Sequence, residues 1–100
     1  MTFNQAEVIN TVYIRLVQGV PGTKSYEVPS GRYAVIVINE AEIDGGTVRI
    51  GPDFQRSGPY VFSEVMGYNT FILNAGEKVE AISGGDAVII SGFALEYNQV

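Results

Sequence analysis

Glu40, Glu42 and Asp44 stand two residues apart, and in an extended chain that spacing puts three carboxylates on one face within reach of one cation. Ca²⁺ takes oxygen ligands in flexible geometry, and the following Gly45-Gly46 would let backbone carbonyls turn in. The competing reading, which we prefer, is a solvated acidic corner whose charge deters strand-to-strand aggregation. Asp53, Glu64 and Glu77 adjoin loops and are the carboxylates from which a glycosidase pair would be drawn. No spacing brings two of them together, so solvation is their expected role. Tyr60, Phe62 and Tyr68 lie near turns and would supply a sugar-stacking platform, although ordinary core and interface packing accounts for them better. Gly45-Gly46 and Gly84-Gly85-Asp86 precede no helix and lack the Lys-Ser/Thr of a phosphate loop, so hairpin turns explain both.

Composition narrows the chemistry further. The 100 residues contain no histidine and no cysteine. Without them the commonest general base, the thiol nucleophile and most transition-metal ligand sets are missing, and no serine has a histidine to activate it. No catalytic, cofactor-binding or metal-binding residue is assigned. Eleven acidic residues against six basic ones give a net charge of −5, and the basic residues Arg15, Lys24, Arg32, Arg49, Arg56 and Lys78 are scattered singly. Nucleic-acid binding needs a clustered basic face, so no nucleic-acid partner is expected. No run approaches the length of a membrane span, and residues 1–10 lack the basic and apolar segments of a signal peptide. The expectation is a soluble protein, complete from Met1.

The elements that must position these residues are strands. Residues 86–97, DAVIISGFALEY, form the longest apolar stretch, launched by the turn Ser83-Gly84-Gly85. It shows no regular polar alternation, and a strand of that kind must be covered on both faces. Residues 32–39, RYAVIVIN, read the same way. Residues 7–17, 23–28, 47–50, 60–65, 70–73 and 77–82 complete a set of about eight short strands, with turns at 18–22, 29–31, 40–46, 51–53, 66–69 and 74–76. Residues 54–59, FQRSGP, read as an exposed loop. An apolar-polar-small-Gly-charged order recurs in residues 28–36 and 73–82, which suggests two similar Greek-key halves. The expected fold is all-β, a jelly-roll-like antiparallel β-sandwich in one domain spanning residues 1–100, with residues 1–10 a candidate N-terminal arm. Two strands apolar on both faces are hard to cover within 100 residues. Self-association would cover them, and a trimer is the closed form expected.

The combination of VPSGRYAVIVIN with FILNAGEKVEAISGGDAVIISGFALEY resembles the small β-sandwich accessory proteins of tailed bacteriophage virions, chiefly capsid cement (decoration) proteins and secondly tail-fibre knobs. The resemblance spans residues 24–97 and lies in the style of strand and turn. It implies a non-enzymatic structural role: a homotrimer, made in the host cytoplasm and placed on the capsid exterior, that bridges subunits of the major capsid protein, often through an N-terminal arm. Fibre knobs follow a shaft, and no shaft sequence precedes residue 7, which favours cement. The alternative is a carbohydrate- or receptor-binding module.

Overall fold

The computed structural model describes residues 7–99. Nine strands follow one another: β1 (Val8–Gln18), β2 (Gly22–Glu27), β3 (Arg32–Ile43), β4 (Gly46–Ile50), β5 (Phe54–Ser57), β6 (Tyr60–Ser63), β7 (Asn69–Asn74), β8 (Lys78–Ser83) and β9 (Val88–Asn98). Among the described residues one 3₁₀ turn, Glu64–Met66, lies between β6 and β7. The front sheet has the order β1-β9-β3-β6, and the back sheet β2-β8-β4-β5. β7 pairs with Tyr33 to Ile38 and β6 with Glu40 to Ile43, so both occupy one edge of β3 as an interrupted strand. Counted that way, eight strands in two four-stranded antiparallel sheets make a jelly roll.

Most connections cross between the sheets, which corrects the hairpin reading of both Gly-Gly turns. Asp44-Gly45 carries the chain from the front sheet to the back, and Gly84-Gly85 carries it from back to front. The two corners lie side by side, since the Asp44 N–H donates to the Ala87 carbonyl at 3.0 Å. At the opposite end the two echoed turns also meet: Val28 N–H donates to Glu77 O at 3.0 Å and Gly76 N–H to Val28 O at 2.9 Å. The sequence echo therefore marks two symmetric corners of the sandwich.

Two further boundaries differ from expectation. Residues 40–43 are the end of β3, because Glu40 and Glu42 point out while Ala41 and Ile43 are buried. The FQRSGP segment is no loop, since its first four residues form the edge strand β5, in which Phe54 packs on the core. The N-terminal arm expected at residues 1–10 falls largely outside the described residues, and Val8 to Asn10 belong to β1.

The core resolves the apolar runs into alternating inward and outward positions, with one shift of phase in β3. From β9, Val88, Ile90 and Ala94 enter the core, joined by Ala34, Ile36 and Ile38 of β3 and by Val48, Ile50, Val79 and Ala81 of the back sheet. A bulge at Asn39 shifts the register between Ile38 and Glu40, and it moves the inward set from 34, 36, 38 to 41 and 43. Gly92 takes an inward position on β9, and a β-carbon there would run into the Val37 carbonyl oxygen of β3. Gly92→Ala should cost about 3 kcal/mol by overpacking, which thermal unfolding would register as a drop of about 15 °C.

Candidate assembly face

The two sheets turn unlike surfaces outward. On the back sheet the outward positions are Thr23, Ser25, Glu27, Thr47, Arg49, Gln55, Ser57, Lys78, Glu80 and Ile82. They are cross-linked by polar pairs: Lys78 to Glu27 at 3.7 Å, Arg49 to Glu80 at 3.8 Å, and the Thr47 and Ser57 hydroxyls at 3.2 Å. That is an ordinary solvated face.

The front sheet's outward face is apolar instead. Its registered rows set Tyr97 beside Val8 and Tyr33, Leu95 beside Thr11 and Val35, Phe93 beside Tyr13 and Val37, and Ile89 beside Val17 and Glu42. Ile72 of β7 extends the Leu95 row through Val35. Aromatic pairing within the face shields part of it: Tyr33 and Tyr97 stack at 5.1 Å, and Tyr13 tilts against Phe93 at 5.5 Å. Much apolar surface remains open, with Ile72 71%, Tyr13 59% and Phe93 39% exposed. A contiguous patch of this kind is characteristic of a surface that meets a partner.

One polar row crosses the face. Arg15, Ser91 and Glu40 lie opposite one another on β1, β9 and β3. Arg15 Nη1 reaches over the small Ser91 to Glu40 Oε1 at 3.8 Å, with both side chains about half exposed (48% and 49%). The Ser91 hydroxyl donates to Asn39 Oδ1 at 3.3 Å, which holds the bulge residue in the row. A shallow depression forms there, lined by Tyr13, Arg15, Asn39, Glu40, Ser63, Glu64 and Ser91.

A second apolar surface is the loop between β6 and β7, where Val65 (91%), Met66 and Tyr68 stand exposed. Tyr60 and Phe62, grouped with Tyr68 as a sugar platform in the sequence, turn towards the core from β6. Only Tyr68 of the three is open. The other carboxylates are separated by role. Asp53 sits in the β4–β5 turn and Glu64 in the 3₁₀ turn, while Glu77 accepts the Asn74 N–H at 2.7 Å and so braces the β7–β8 turn. Glu40 is engaged with Arg15, and among the described residues no three metal-ligating side chains come together. No helix among the described residues is long and apolar enough to cross a membrane.

Sequence reasoning missed the buried carboxylate of Glu96, which is 1% exposed at the end of the sandwich near β2. It accepts hydrogen bonds from Tyr26 Oη at 2.5 Å, Arg32 Nη1 at 2.7 Å and Asn10 Nδ2 at 3.0 Å. These donors come from β2, β3 and β1, so one side chain ties four strands and both sheets together. Burial pushes the Glu96 carboxyl up, but the hydrogen bonds from Tyr26, Asn10 and Arg32, helped by the guanidinium charge, outweigh it and hold the group below its ordinary value of 4.5. Burial, the bond to Glu96 and its negative charge push the Tyr26 hydroxyl well above the ordinary tyrosine value. The signal was available: Glu96 shares parity with Ile90 and Ala94 on the inward face of β9. A polar side chain at a core position announces a buried partner. Its arrangement is structural, since every acceptor oxygen is engaged by the chain's own donors.

Comparison with protein-family models, with curated proteins and with solved structures found no match.

Proposed function

We propose that this chain is a non-enzymatic virion structural protein, a capsid cement protein of a tailed bacteriophage, that self-associates and bridges subunits of the major capsid protein on the shell exterior. The observation that carries the reading is the contrast between the solvated back sheet and the open apolar face of the front sheet. A chain with net charge −5 gains solubility from its charged surfaces. An apolar sheet face on such a chain serves contact. The exposed Val65, Met66 and Tyr68 loop offers a second anchor on a different part of the surface, as bridging requires. Cement works by mass action: whatever binds the closed shell more tightly than the opened one raises the free energy of opening.

The test uses virus heads assembled without this protein. They should open at lower temperature than complete heads, and adding the purified protein should restore the opening temperature with saturable co-sedimentation. Val65→Asp with Met66→Asp should weaken that binding at least 10-fold while leaving the circular dichroism spectrum intact. Heads that open at the same temperature with and without the protein would overturn the reading. Retention on a glycan array, lost in Tyr68→Ala, would replace it with carbohydrate recognition.

A further inference from the structure

We propose that two copies of this chain pair front sheet to front sheet about a two-fold axis lying along β9, with Arg15 of each copy bonded to the partner's Glu40. The inference rests on the self-association reading above and adds its geometry.

Two sheets that meet face to face pack about 10 Å apart with strands nearly aligned. A two-fold contact is isologous, so each surface must complement itself. Only some axes satisfy the polar row. Arg15 lies on β1 and Glu40 on β3, at equal distance on either side of β9 and at one level along it. Rotation about an axis along β9 exchanges the β1 and β3 sides while keeping the level, so each Arg15 arrives over the partner's Glu40. Rotation about an in-plane axis across the strands at that level would set each Arg15 over its own copy. The charges therefore select the first axis.

The rows from Phe93 to Leu95 agree with it, while Glu42 falls over the partner's Val17 at the end of the face. Ile89, Phe93 and Leu95 lie on the axis and meet themselves, while Tyr13 of one copy falls over Val37 of the other. Among the outward positions of β1, β9 and β3 the only charges are Arg15, Glu40 and Glu42, so two acidic chains can approach by this face without strong repulsion. The ten-residue length from Val8 to Val17, at roughly 3.3 Å per residue, by the three strands β1, β9 and β3 that overlap about this axis at roughly 4.8 Å, gives about 480 Å² per copy. The total of about 950 Å² is that of a small interface, which forms in a concentration-dependent way. Within one chain the Arg15–Glu40 pair is half exposed and contributes little. Buried between copies it sets register and direction. A trimer, the stoichiometry expected from the sequence, would need two different patches on each chain, whereas the front sheet is one continuous face.

Light scattering after gel filtration tests this with charge-reversed variants. The unmodified chain should run at twice the 10.8 kDa mass of one chain. Arg15→Glu and Glu40→Arg should each weaken pairing about 100-fold, because each sets like charges opposite one another. Mixed in equal amounts, the two variants should recover the double mass, since one copy then carries two acids and the other two arginines. Variants that pair as well as the unmodified chain, or a mixture that stays at single-chain mass, would overturn the reciprocal pair and leave self-association standing. Triple mass would likewise overturn the two-fold axis alone. An unmodified chain at single-chain mass would overturn both.

Discussion

Phe93→Arg is expected to reduce the assembled protein to single chains without unfolding it. Phe93 is at the centre of the front sheet's outer face, and its ring contacts Tyr13 rather than the core. In the isolated chain the substitution gives up the Tyr13 ring contact, a cost of about 1 kcal/mol, and places a charge on an outward position, so the fold is kept. In the assembly the result is different. Each copy loses the burial of the part of the ring that is open in the single chain, worth about 1 kcal/mol, and gains an arginine that must be desolvated without a partner. With both copies affected, the dissociation constant should rise by a factor of at least about 10³, because every 1.4 kcal/mol is tenfold. Ser25→Arg, on the outer face of the back sheet, is the control and should leave assembly unchanged. If Phe93→Arg assembles normally, the front sheet is not the contact surface.

The second large effect concerns stability. Arg32→Ala should destabilise the fold by about 3 kcal/mol, the lower end of the range for breaking a buried ion pair. The lower end applies because Glu96 keeps its bonds from Tyr26 and Asn10, and the Arg32 side chain is itself 34% exposed. Glu96→Gln retains an acceptor for those donors and removes the uncompensated charge. The double variant should therefore be more stable than Arg32→Ala alone, and urea unfolding of the four proteins measures that coupling. The pH dependence has a defined sign. The folded Glu96 carboxyl titrates below 4.5, so its contribution is present above that value and is lost as pH falls through the lower folded one. Tyr26 titrates above its ordinary value of 10.0 in the folded chain, so its contribution is present below pH 10.0 and is lost as pH rises through the folded value. Glu96→Gln should flatten the acid limb. An acid limb unchanged in Glu96→Gln would mean that other carboxylates carry it.

The strands were legible in the sequence because turn chemistry bounds them. Gly22, Gly31, Gly76 and Gly85 all adopt positive φ at or beside strand ends, and such residues punctuate a chain visibly. The need to cover two faces of residues 86–97 was also legible, and the structure divides that need. Val88, Ile90 and Ala94 are covered by the back sheet, whereas Phe93 and its neighbours are left facing out. Charge misled the reading at residues 40–46. Glu40 and Glu42 suggested a corner, although their alternation with Ala41 and Ile43 is that of a strand with one wet face. The bulge at Asn39 left no local signature, since one extra residue in a ladder is defined by the partner strand. β5 was missed because FQRS is an edge strand whose Arg56 lies over the Phe54 ring at 4.6 Å, so its inward parity carries a charge. The Glu96 network joins residues 64 to 86 positions apart, and only the jelly-roll crossing of the chain brings them together.

The claim that the front sheet is covered by another copy is tested most directly by sedimentation equilibrium of the unmodified chain across a wide range of concentration. Assembly predicts a mass above 10.8 kDa that falls to the single-chain value only on dilution. A single-chain mass maintained up to about 1 mM, a strength at which even contacts of about 4 kcal/mol are populated, would contradict it.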